Sequence, residues 1–98
     1  MTTDLLLTHL LKAVAYLARN TANSIKCGEA GGCEQVVSAM RIHGTSNAAV
    51  AEQGCWAIRN LTANNAANKL RLVAADARTV VASCVGNGQK AEALKRLA

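Results

Sequence analysis

Apolar positions recur along this chain at intervals of three and four residues. From Leu6 they fall at Leu10, Ala13, Val14 and Leu17, one stripe of a helix. Thr2, Thr3 and Asp4 stand before that stripe and offer an N-terminal cap, and Asn20 and Thr21 end the helix. Ala22 to Glu29 suits a short helix, closed by Gly31 and Gly32. Val36, Val37 and Met40 carry helical spacing through Cys33 to Ile42, and His43, Gly44 and Thr45 terminate it. Ser46 or Asn47 caps the next helix, whose stripe is Val50, Gly54, Ala57, Ile58 and Leu61. A short helix near Asn65 to Ala75 follows, then a helix from Ala77 to Val85. A Gly86-Asn87-Gly88 turn leads into a last helix from Gln89 to Leu97. The pattern predicts an all-α fold.

Laid over itself, the chain repeats. The run AVAYLARNTANSIKCGEAGGCEQVV matches AIRNLTANNAANKLRLVAADARTVV, with Ala13, Val14 and Leu17 over Ala57, Ile58 and Leu61 at a shift of 44 residues. A one-residue slip in the loop then pairs Asn23 with Asn68 and Gly31 with Asp76 at 45, before Val36-Val37 and Val80-Val81 return to 44. Such a period fits two- or three-helix repeats of about 40–47 residues and is too long for tetratricopeptide or ankyrin repeats.

The segment EAGGCEQVVSAMRIHGTSNAAVAEQGCWAIRNLTANNAANKLRLVAADA resembles armadillo repeat proteins. Gly31-Gly32 stands where that family places the turn between its first two helices. Ala57-Ile58-Arg59-Asn60-Leu61 is similar to the Ala-Leu-x-Asn-Leu signature of its third helix. The run AVAEQGCWAIRNL resembles the Ala-rich armadillo-like proteins of protists and algae. The resemblance implies a right-handed α-solenoid of about two repeats in a single domain over 1–98. Its parts would be the third helix of a partial repeat at 4–19, a complete repeat at 21–63 and a degenerate repeat at 65–98. Two departures mark the degenerate repeat. Asp76-Ala77 replaces Gly-Gly, and Ala57-Ile58 to Leu61 corresponds to Ala93-Leu94 to Leu97 at a shift of only 36.

Composition narrows the core. Apolar residues make up 51% of the 98 residues, yet the only aromatics are Trp56 and Tyr16. The core must be built from Ala, Leu, Val and Ile, which allow close helix approach but bury little area each. Proline is absent, so breaks must come from Gly, Asn and Thr. Cys27, Cys33, Cys55 and Cys84 are irregularly spaced in an Ala- and Leu-rich chain, which points to free thiols in a reducing intracellular compartment, cytoplasm or nucleus. Cys27 and Cys33 lie six residues apart with His43 the nearest histidine, which is a poor zinc spacing. Leu5 to Ala18 is the most apolar window, but it is short and holds His9 and Lys12, so no membrane span is expected. With Asp4 at its start it is also a poor secretory signal.

In the nuclear-import adaptors of the armadillo family, a Trp and an Asn four residues later line a concave groove that holds an extended peptide. Trp56 and Asn60 stand at that spacing, which places them on one helix face. An amide can both donate to and accept from a peptide backbone, and an indole offers a flat apolar wall. The competing reading gives Asn60 to inter-repeat hydrogen bonding and Trp56 to packing. Repeat matching adds Lys12 and Tyr16 before this pair, and Glu92 and Arg96 after it. The resulting groove is net basic, which disfavours the basic cargo of import adaptors and suits a protein or extended peptide of acidic character.

Eleven Lys and Arg against six Asp and Glu give a net charge of +5, but the basic residues are scattered and lack aromatic interleaving. The sequence thus argues against nucleic acid as a partner. No phosphate loop or cofactor motif occurs, His9 and His43 have no neighbouring nucleophile, and no carboxylate pair suggests acid–base chemistry. The chain therefore reads as a non-enzymatic interaction module, with an assembly subunit docked through its repeat ends as the alternative. The helix carrying Leu6, Leu10, Ala13 and Leu17, and the last helix with Ala91, Ala93, Leu94 and Leu97, would leave apolar stripes at the two ends. Such stripes predict a homo-oligomer or a place in a larger complex.

Overall fold

The structure, a computed structural model, describes residues 3–98. Among these residues there are seven helices and no strand: α1 (Thr3–Leu17), α2 (Thr21–Glu29), α3 (Gly32–His43), α4 (Ala48–Thr62), α5 (Ala66–Ala74), α6 (Ala77–Ser83) and α7 (Lys90–Leu97). None is long and apolar enough to cross a membrane.

Asparagine starts three of the helices. The side chains of Asn20, Asn47 and Asn65 accept from the N–H groups of Asn23, Val50 and Asn68 at 3.0, 3.1 and 2.8 Å. Each cap satisfies a donor that the first helical turn leaves orphaned and contributes about 1 kcal/mol. The α2–α3 and α5–α6 turns share a left-handed residue, Gly31 at φ 89° and Asp76 at φ 70°. This is the pair that the 45-residue shift aligns. Glycine takes that conformation freely, whereas Asp76 holds it against its own Cβ.

Two features of α1 differ from the expectation. The helix already includes Thr3, so Asp4 lies in its first turn rather than at a cap, and Thr2 is outside the described residues. Asp4 instead joins α1 to the α3–α4 connection, pairing with His43 Nδ1 at 2.7 Å and accepting from Asn47 Nδ2 at 3.1 Å. The buried face is also different. Leu11, Ala15 and the following Ala18 enter the core with part-buried Leu7 and Val14, while Leu6, Leu10, Ala13 and Leu17 are exposed. Both stripes have helical spacing, and α1 buries the one that meets α4.

The helices pack with a period of three. α1 lies along α4 and α4 along α7; α2 lies beside α5, and α3 beside α6. Cys33, Val36, Val37 and Met40 of α3 and Ala77, Val80, Val81 and the adjacent Cys84 supply equivalent buried positions at a 44-residue shift. α4 sits at the centre and buries Val50, Ala51, Gly54, Cys55, Ala57, Ile58 and Leu61.

Neighbouring helices are tied where one side chain reaches another's main-chain carbonyl. Asn68 Nδ2 on α5 donates to Ser24 O and Leu61 O, both at 3.0 Å. Arg41 Nη2 donates to Ala75 O at 3.1 Å, and Arg78 Nε to Leu97 O at 2.6 Å. Lys90 Nζ donates to Cys84 O at 2.7 Å and Ala82 O at 3.0 Å. Most of these acceptors lie at helix C-termini, where carbonyls lack an intrahelical partner.

The Asn68 tie sets a limit at Gly28, where an added Cβ would land on the Asn68 side-chain oxygen. An exposed helical Gly→Ala change stabilises by about 1 kcal/mol. Gly28→Ala is expected to destabilise by about 2 kcal/mol instead, because it dislodges a fully buried amide from its acceptors. Urea unfolding of the two chains measures the sign.

Candidate functional site

The polar stripe of α4 holds exposed Glu52 and part-buried Gln53, Trp56, Arg59 and Asn60. These positions recur at three and four residues, so one helix presents them together, opposite Gly54, Ile58 and Leu61 in the core. α1 and α7, which flank α4, bring Lys12 and Tyr16 on one side and Glu92 and Arg96 on the other.

Tyr16 and Trp56 meet edge to face, with ring centroids 4.9 Å apart and planes at 81°. That arrangement places the positive edge of one ring on the negative face of the other. Tyr16 remains 51% exposed and Trp56 is part-buried, so the pair both fastens α1 to α4 and forms part of the surface. Asn60 donates Nδ2 to Ala15 O at 2.8 Å. Part of its amide is therefore committed to holding α1. Asn60 also lines a hollow of about 250 Å³ with Ala18, Arg19, Thr21, Ser24 and Asn64. Lys12 lies one helical turn before Tyr16 and is exposed.

On α7, Arg96 Nε binds Glu92 Oε1 at 3.0 Å, so this arginine is partly neutralised within its own helix. The hydrogen bond from Arg96, helped by the charges of Lys95, Arg96 and Arg59, holds the Glu92 carboxyl below its ordinary range. A depressed carboxyl favours the fold at pH above the normal carboxylate range. That contribution is lost as pH falls through the lowered value, and solvent screening of this part-exposed pair keeps it small. Arg59 was not among the sequence candidates. Its Nη1 donates to Gln89 Oε1, linking α4 to the start of α7. Its signal in the sequence is its position three residues after Trp56. Gln53 Oε1 and Arg59 Nε, on either side of Trp56, are buried and hydrogen-bond to no described residue.

A larger groove, of about 390 Å³, lies elsewhere, between α1 and α3, and is mostly apolar: Leu7, Leu10, Leu11, Val14, Val36, Ala39 and Ile42 line it with a few polar neighbours. Among the described residues no group of three His, Cys, Asp or Glu side chains is placed to hold a metal ion. All four cysteines are free; Cys27 is part-buried and the others are buried. Burial, with the Glu34 carboxylate beside it, pushes the Cys33 thiol up to about 12. Burial also pushes Cys55 up to about 11, reinforced by Cys84 and partly offset by a hydrogen bond from Asn87.

The thiolate is the reactive form, so these thiols should be inert in the fold. At pH 8 the native chain is expected to react slowly with a thiol-exchange reagent, Cys27 first, and to yield four free thiols at once when unfolded without reductant. The aromatic pair is open to a double-mutant cycle. Tyr16→Ala and Trp56→Ala should be coupled by about 1 kcal/mol in unfolding free energy, since each loses the same edge contact. Comparison with known protein families found no matching family model, and searches of curated proteins and of solved structures found no significant match.

Proposed function

We propose that the chain is a protein-interaction module of armadillo type, and that its α1–α4–α7 row receives an extended peptide across Tyr16 and Trp56. The repeat reading is supported by the period of three in the helix packing and by the left-handed turn at both Gly31 and Asp76. The observation that carries the binding reading is the Tyr16–Trp56 pair, the chain's only two aromatics: half-exposed Tyr16 of α1 meets part-buried Trp56 on the polar face of the central helix. Large apolar rings left at a surface among polar neighbours are the usual anchors of protein recognition. Three helices at the usual spacing make a row about 20 Å wide, room for about six residues of extended peptide. Lys12, Arg59 and Arg96 outnumber Glu52 and Glu92 there, so the proposed ligand is acidic or polar. Four unpaired thiols suit a reducing intracellular setting.

Trp56 is the only tryptophan, so its fluorescence reports directly on the row. Titration with an extended peptide of alternating Glu and apolar residues should shift its emission with micromolar affinity. Trp56→Ala, followed by a dye on the peptide, should weaken binding about tenfold or more. Lys12→Glu should weaken it several-fold and flatten its salt dependence. Equal affinity of the Trp56→Ala chain would rule the row out.

A further inference from the structure

The exposed stripe of α1 is a surface whose chemistry neither the core nor the peptide row uses. Leu6, Leu10 and Leu17 are 48, 54 and 57% exposed, and Ala13 between them is exposed too. Their intervals of four, three and four match the spacing of the seam in a two-stranded coiled coil. The seam is also self-complementary. In an antiparallel pair centred between Leu11 and Lys12, Leu6 meets the partner's Leu17 and Leu10 meets the partner's Ala13. The large side chain then fills the space above the small one, as close packing requires.

Charge selects the occupant. The chain carries +5, yet the seam holds no charged side chain. Lys12, the one Lys or Arg of α1, lies about 130° round the helix from the seam centre. Asp4 is held by His43 and Asn47. Two copies can therefore meet here without setting like charges together, while an acidic or a basic partner finds no opposite charge. Area fits as well. Such an apolar stripe is on the scale of about 300 Å² or more, the size that marks interaction sites. A stable dimer buries about 800 Å² per partner. The seam can supply the centre, with His9, Ile42 and the edge of the α1–α3 groove around it.

We infer that α1 pairs antiparallel with α1 of a second copy, through Leu6, Leu10, Ala13 and Leu17, in a two-fold symmetric dimer of micromolar affinity. A two-fold contact presents the same patch from both sides, which this seam satisfies. The inference is independent of the peptide row, whose Tyr16 and Lys12 lie on another side of α1.

Sedimentation of the full chain from 1 to 200 μM (a range set by roughly micromolar affinity) tests it. The wild type should pass from the 10.2 kDa chain mass towards twice that value. Leu6→Glu and Leu17→Lys should each weaken association by about tenfold or more, because each buries an unpaired charge against leucine. Both positions are exposed, and the new charges suit the first and last turns of α1, so circular dichroism should show intact helices. The double variant Leu6→Glu/Leu17→Lys should regain the dimer at low salt and lose it at high salt, since the antiparallel register sets each new acid against the partner's new base. A wild type that stays monomeric throughout overturns the inference and leaves the seam to a different protein. Single variants that dimerise normally would place the contact elsewhere, and a double variant that fails to recover would overturn the register.

Discussion

Ala51, Gly54, Cys55 and Ala57 on α4 are all buried, and none is larger than a thiol-bearing methylene. A chain with no phenylalanine cannot fill wide gaps between helices, so its helices must close up on one whose buried face is rich in small residues. α4 is that helix, and α1, α3 and α7 all pack on it. The closeness is visible at Gly54, where any side chain would run into Met40. It has a second effect. Backbones this near bring carbonyls within reach of the next helix's side chains, which is how Asn60 can hold Ala15 O. The inter-helix hydrogen bonds are thus a product of the small residues rather than an addition to them.

How much of this was legible depended on contrast within each helix. α4 reads correctly because Glu52, Gln53, Arg59 and Asn60 oppose Val50, Gly54, Ala57, Ile58 and Leu61, leaving one possible core face. α1 carries leucine and alanine nearly all round, so its period indicates a helix but cannot choose between the stripe of Leu11 and Ala15 and that of Leu10 and Ala13. The partner helix makes that choice, and no local pattern encodes it. Asn23 and Asn68 show the same limit. They align in sequence and occupy the same place after their capping asparagines, yet Asn23 is exposed and Asn68 fully buried. Asn68 has Ser24 O and Leu61 O to receive its amide. Of the candidate site, the Trp56–Asn60 spacing and the repeat-matched Tyr16 were readable. The division of Asn60 between helix-holding and surface, and the part of Arg59, depend on neighbours that only the fold supplies.

α1 therefore has three surfaces with separate chemistries. One is apolar and buried on α4, one is aromatic and basic beside Trp56, and one is apolar and outward. The division is possible because the first contact uses mostly Ala15, Ala18 and Leu11, a narrow strip that leaves most of the circumference unclaimed.

Several of the ties between helices are one-sided. Asn60, Asn68, Arg41, Arg78 and Lys90 each contribute a particular side chain, but the group each one grips is a peptide carbonyl. Every residue has that group, whatever its side chain. Ala15, Leu61, Ala75 and Leu97 can therefore be exchanged for other residues of fitting size without loosening the joint, whereas the donors cannot. Related chains built on such joints would keep a thin scatter of amides and bases while the positions they hold drift freely. Their common architecture would outlast any resemblance a reader of letters could find.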